Sequence, residues 1–299
     1  MCMKKYYLLV FLLFCSKGLW SQNLHDSIPL VAKNASLKKI SGDFLFTEGP
    51  IADKAGNVFF TDQPNDRIMK WEQAQGITEY MKPSGRANGL YIDSHGNLYA
   101  CADEKNQIWK IDPSKKREIV VENLNGKRFN GPNDLWISRK GHIYFTDPFY
   151  KRDYWSHTTP ELNREGVYLI SPFNKLSIVD TSLRQPNGII GSDKNKLLHV
   201  SDIRDRKTYV YSLNKDGSVG ARKLFCDMGS DGMTIDVKGN IYLTGRGVTI
   251  FDRKGKRIGN IPVPEPWTAN VTFGGNQRKT LFITASKSVY TLEMNVKGE

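Results

Sequence analysis

Six residues recur at one position of a repeated strand-turn-strand unit, and all six carry a side-chain oxygen: Glu48, Asn88, Asn133, Asn187, Asp231 and Asn270. The unit is clearest from Asp231 to Thr244, where a short strand, a Lys-Gly-Asn turn and a second strand follow the acid. Glu48, Asn88, Asn133 and Asp231 precede the turn glycines Gly56, Gly96, Gly141 and Gly239 by eight positions; Asn187 precedes Asn195 by eight, and Asn270 precedes Lys279 by nine. None of the six is Cys or His, and an oxygen-only set suits a hard cation. Two carboxylates among neutral amides balance a divalent charge. Calcium accepts such irregular amide and carboxylate geometry more readily than magnesium, and zinc is disfavoured without a His or Cys cluster. The expectation is one divalent cation, calcium first, with Mg2+, Mn2+ or Zn2+ as alternatives.

Taken singly, Asn88-Gly89, Asn187-Gly188 and Asp231-Gly232 read as ordinary turn dipeptides. Glu48-Gly49-Pro50 and Asn133-Asp134-Leu135 are not hairpin turns, yet they hold the same register. The turns are spaced 40, 45, 54, 44 and 40 residues apart. A period of this size marks a repeat architecture. After each turn comes a β-branched and aromatic run, such as Val58 to Asp62 or Ile143 to Asp147, then a third strand and, in places, a fourth. Six four-stranded units predict an all-β fold, a six-bladed β-propeller of four-stranded antiparallel blades. The stretch from Val31 to Phe46 can supply a strand to the last blade and close the ring. In such a fold the innermost strands line the central channel, so the six residues converge at one end of it. The long interval between turns carries an insertion, 149–165, which is either a wall or lid of that site or a plain surface loop.

The chain has 299 residues and a formal charge of +12. Lys4 and Lys5, then nine apolar residues from Tyr6 to Phe14, predict a signal peptide over 1–21, too short an apolar run to span a bilayer. Leu12-Leu13-Phe14 before Cys15 lacks the small residues of a lipid-attachment site, so the expected product is an exported, periplasmic or secreted protein with one domain over 22–299. Loss of Lys4, Lys5 and Lys17 leaves +9. The remaining basic residues are spread over turns and outer hairpins with no motif, which argues against nucleic acid as a partner. No later segment is apolar enough for a membrane span. Cys101 and Cys226 lie in strand-like runs of different repeats and are expected as buried free thiols.

Five segments in order, Glu48-Gly49-Pro50, Phe129 to Asp134, Gln185 to Gly188, Asp231-Gly232-Met233 and Asn270 to Gly275, give the chain a family likeness. It resembles the gluconolactonase/regucalcin (senescence marker protein) family over nearly the whole length beyond the signal. The resemblance implies a propeller with Ca2+ or another divalent ion at the channel mouth. It implies Glu48, Asn187 and Asp231 as metal ligands, Asn133 as a metal or substrate contact, and Asp231 as catalytic acid/base. Asn88, Asn133, Asn270 and Arg128 are the expected substrate-binding positions; Arg128 lies near one that the family uses.

The implied activity is hydrolysis of a sugar lactone, with the metal polarising the carbonyl and Asp231 moving the proton. Two rivals are an aryl-ester or organophosphate hydrolase of the same fold, which would want an apolar mouth, and a non-enzymatic binding propeller, which has no need of paired carboxylates. The five His residues are scattered, so a Ser-His-Asp arrangement finds no support. By strand alternation Asp134 should point away from the channel. Asp62, Asp147 and Asp202 end second strands and are expected to make structural hydrogen bonds.

Overall fold

The structure, a computed structural model, describes residues 28–299. The expected signal peptide over 1–21 lies outside the described residues. Six four-stranded antiparallel sheets follow one another around a ring. Their innermost strands are Thr47–Ala52, Ala87–Ile92, Leu135–Ile137, Pro186–Ser192, Met233–Ile235 and Asn270–Gly274. The sheets are numbered blades 1 to 6 in that order, and the expected six-bladed propeller is the observed fold. The N-terminal strand Lys38–Ser41 pairs with Ser288–Glu293 and completes blade 6.

Apolar side chains of neighbouring blades form six clusters. Phe59 and Ile68 of blade 1 meet Leu90, Ala100 and Ile111 of blade 2. Val58, Phe60 and Trp71 of blade 1 meet Phe282 and Val289 of blade 6. Cys101 and Cys226 are buried and unpaired, as expected. Burial pushes the Cys226 thiol up to about 11, so it stays a thiol at neutral pH.

Polar residues of the second strands set the height of the inner ones. Threonine hydroxyls reach across to the next blade: Thr61 Oγ1 donates to Asn88 O (3.0 Å), Thr146 Oγ1 to Asn187 O (2.7 Å) and Thr244 Oγ1 to Ala269 O (2.8 Å). The strand-ending aspartates hold the chain that leads into the inner strand of their own blade. Asp147 accepts from the backbone N–H of Asn130 and Gly131, and Asp202 from those of Arg184 and Gln185. Asp62 does the same for Leu45 and Phe46 and pairs with Arg67 at 2.9 Å. These are the structural roles expected of them.

Two turn positions differ from expectation. The left-handed turn residue is Gly239 in blade 5, with φ 84, but it is Lys196 rather than Asn195 in blade 4 and Arg278 rather than Lys279 in blade 6. Asn270 is therefore eight residues and Asn187 nine before its turn residue, and strand pairing fixes the common register: Asn270 faces Thr284 as Glu48 faces Thr61, and Pro186 faces Asp202 as Thr47 faces Asp62.

The closing strand carries a testable cost. Val31 and Ile28 are buried against blades 5 and 6, and each contributes about 2 kcal/mol by burial. A protein beginning at residue 42 loses both and exposes the Ser288–Glu293 edge. Thermal unfolding followed by circular dichroism should show its midpoint lowered by at least about 5 °C; an unchanged midpoint would mean that blade 6 does not depend on the strand.

Candidate active site

The six oxygen-bearing residues form a closed ring of neighbours at one end of the channel. A Cβ on Gly49 would lie 2.1 Å from Asn88 O, and one on Gly188 2.5 Å from Asp231 O. Gly89 N donates to Asn133 O (2.8 Å), and Gly232 N to Ala269 O beside Asn270 (2.8 Å). A Cβ on Gly232 would overlap the Asn270 amide at 1.9 Å. Asn270 Nδ2 donates to Glu48 Oε2 at 3.2 Å and closes the circle. The glycine after a ring residue is thus required by the approach of the next strand.

Each of three ring side chains is fixed by one polar atom and leaves one oxygen over. Glu48 Oε2 accepts from Gly49 N (2.8 Å) and Asn270 Nδ2. Asp231 Oδ2 accepts from Trp267 Nε1 at 2.6 Å. Asn187 Nδ2 donates to Tyr150 Oη at 2.9 Å. None of these bonds uses Glu48 Oε1, Asp231 Oδ1 or Asn187 Oδ1. Asn187 Oδ1 is fully buried with no hydrogen-bond partner, a state that costs about 1–3 kcal/mol unless a ligand completes it. Asn88 and Asn133 are buried at the same level.

The electrostatics have one sign. Burial first, and then the Asp231 carboxylate, hold Glu48 well above the usual carboxylate range. Burial raises Asp231 too, against the lowering by its hydrogen bonds to Trp267 and Asn187. Among the described residues no three His, Cys, Asp or Glu gather as a metal-holding group, so a cation here depends on amide oxygen. Two crowded carboxylates and an unpartnered amide oxygen fit a hard divalent cation by charge and by donor type.

Asp134 corrects the strand-alternation reading. Asn133 N donates to Thr146 O (2.9 Å) while Asp134 O accepts from Thr146 N (3.0 Å), so two residues oppose one. Such a bulge breaks the alternation, and the Asp134 carboxylate turns inward, within the field of Glu48 and Asp231 and hydrogen-bonded to Asn270. Burial pushes its pKa up to about 7. Asn270, expected to contact substrate, steadies Glu48 and Asp134 through its side-chain amide. Arg128 lies on the small hairpin Asn123–Leu124 and Lys127–Arg128 and pairs with Glu161 of the insertion at 2.9 Å, with no bond to the ring.

The insertion is a wall of the site. Asp103 of blade 2 anchors it, accepting from Arg152 Nε (3.1 Å) and Tyr154 Oη through its carboxylate and from Trp155 Nε1 through its carbonyl. This anchorage delivers Tyr150 to Asn187. Tyr150, Arg152 and Trp267 escape the repeat pattern because they sit in loops. Their one signal is position: Trp267 lies three residues before Asn270, and Tyr150 three after Asp147.

Fold and site together define a six-bladed propeller with an acidic, amide-rich pocket at one mouth of its channel. The chain belongs to the SMP-30/Gluconolactonase/LRE-like family, whose match covers residues 46–287. It is 33% identical to a gluconolactonase of Zymomonas mobilis, over 88% of this chain and 82% of that one. A solved gluconolactonase of Xanthomonas campestris superimposes with a TM-score of 0.82 at 27% identity, covering 89% of this chain and 91% of that one. Regucalcin of Agrobacterium tumefaciens, a calcium-binding protein, shares the fold at a TM-score of 0.74 and 20% identity, over 89% and 96% of the two chains.

The inward carboxylate generates a pH prediction. A carboxyl whose folded pKa lies above its unfolded one costs stability as pH rises through that interval, here from about 4 to about 7. In chelator, Asp134→Asn should therefore raise the melting temperature at pH 8 more than at pH 5. An equal shift at both values would place Asp134 in a solvated setting.

Proposed function

We propose that the protein is a hydrolase that opens a sugar lactone to the hydroxy acid with the aid of one divalent cation, calcium first. The observation that carries the reading is the trio of oxygens on Glu48, Asn187 and Asp231, each left free by a bond that fixes the rest of its side chain. Membership of a family with gluconolactonases among its similar members supports lactone as the substrate class. Glu48, Asn187 and Asp231 would hold the cation, with Asn133 beside them. When bound, the cation supplies Lewis-acid polarisation of the lactone carbonyl and charge for the developing oxyanion.

The remaining work falls to the chain itself. Asp231 takes a proton from the attacking water as its oxygen bonds to the carbonyl carbon. It returns that proton to the ring oxygen as the carbon–oxygen bond of the lactone breaks, so proton and charge balance. Burial makes Asp231 a stronger base than a solvated carboxylate. The amides of Asn88 and Asn133 suit the lactone hydroxyls, each offering a donor and an acceptor. Tyr150 and Trp267 flank the pocket and limit access of bulk water. A mouth lined by amides, carboxylates and a phenol suits a polyhydroxylated ring better than an aryl ester. The expected signal peptide over 1–21 supports an exported enzyme, and among the described residues no helix is long and apolar enough to cross a membrane.

The test is the rate on glucono-1,5-lactone, followed by acid release, before and after dialysis against chelator. Activity should vanish on dialysis and return with Ca2+. Asp231→Ala should lower kcat by at least about 100-fold with its circular dichroism spectrum unchanged. Full turnover by that variant would sink the acid/base role, and chelator-insensitive turnover would sink the cation.

A further inference from the structure

We propose that Trp267 and Tyr150 are positioning residues that aim the working oxygens of the site: Trp267 fixes Asp231 through Oδ2, and Tyr150 fixes the Asn187 amide through Nδ2. The inference rests on the lactone-hydrolase reading of this site and adds to it the residues outside the ring on which it depends.

Trp267 is suited to the task because an indole N–H can only donate. Its 2.6 Å bond occupies Asp231 Oδ2 and leaves Oδ1 as the oxygen open to the pocket. The backbone that carries the indole is held in turn: Trp267 N donates to Ser286 Oγ (3.3 Å), and Ser286 Oγ donates to Trp267 O (3.1 Å). The loop before blade 6 is thereby tied to the turn between that blade's second and third strands. A side chain on the blade beside Asp231 thus sets which face the carboxylate presents.

Tyr150 acts on the opposite flank. Its hydroxyl accepts from Asn187 Nδ2 at 2.9 Å, so the amide nitrogen is held between Tyr150 and the Asp231 carboxylate and Oδ1 is the atom left over. That Oδ1 is buried and unpartnered, which is an unfavourable pose for an amide left to itself. Something must hold it there, and the Tyr150 bond, braced by the anchorage of 149–165 on Asp103, does so. Arg152 lies over the Tyr150 ring, 5.6 Å from its centre, and limits its swing. Burial keeps the phenol protonated far above neutral pH. Both residues are only partly buried, so their Phe variants lose a bond without opening the core.

The two positions make separable demands. Tyr150→Phe frees the Asn187 amide to rotate, so it should weaken Ca2+ binding by about 10–100-fold in calorimetric titration, the usual effect of losing a group that orients a ligand. Its lost turnover should return at saturating Ca2+. Trp267→Phe leaves Asp231 free to rotate both as a ligand and during proton transfer, so it too should weaken Ca2+ binding, and kcat on glucono-1,5-lactone should stay about 10-fold or more below wild type even at saturating Ca2+, with KM little changed. Circular dichroism and the melting temperature of the metal-free proteins should match the wild type. Wild-type calcium affinity in Tyr150→Phe, together with wild-type kcat in Trp267→Phe, would overturn the proposal. A wild-type protein that binds no divalent cation in the same titration would overturn the underlying reading instead, and this proposal with it.

Discussion

The close approach of six inner strands at one end of the channel is the constraint on which the structure depends. There the glycine after four of the ring residues lies against the next strand, so a Cβ at Gly49 or Gly188 would strike a neighbouring carbonyl oxygen. The strands cannot meet so tightly and remain regular. Their pairing slips between Glu48 and Ile51, between Ala87 and Leu90, and between Pro186 and Ile189. In those three blades the slip frees Glu48, Asn88 and Asn187 from the regular ladder. Chemistry at the mouth is therefore a consequence of how the blades are packed.

That packing brings like charges together. Glu48, Asp134 and Asp231 are drawn out of water and into one another's field, and all three are raised above the ordinary carboxylate range. Such a site is costly until a cation or shared protons offset it. Neutral groups, meanwhile, decide which oxygens are left without a partner. Asn270, Trp267 and Tyr150 each occupy one atom of a ring side chain. The threonines and aspartates of the second strands hold the ring level. A six-bladed hydrolase of this kind needs no mobile nucleophile; it needs a few oxygens held still.

The ring was legible in the sequence because it is repeated. One register, read six times, turns a set of turn dipeptides into a site. Asn270, a residue off by the turn count, falls into line once Arg278 rather than Lys279 takes the left-handed turn position. Asp134 was not legible, since alternation by two assumes a regular strand and the bulge at Asn133-Asp134 breaks it. Tyr150 and Trp267 were hidden for another reason. They belong to loops that differ from blade to blade, so no repeat announces them. Arg128, pointed to by the family likeness, has its guanidinium paired with Glu161 of the insertion.

The central claim is that Glu48, Asn187 and Asp231 each present one free oxygen to a common divalent cation. Anomalous diffraction from crystals grown with calcium tests it most directly. The account predicts one strong peak at the ring, bonded through Glu48 Oε1, Asn187 Oδ1 and Asp231 Oδ1, while Trp267 and Tyr150 keep their bonds to the other atoms. A peak elsewhere in the channel, or an ion bound through Asp231 Oδ2 with the Trp267 bond broken, would contradict it.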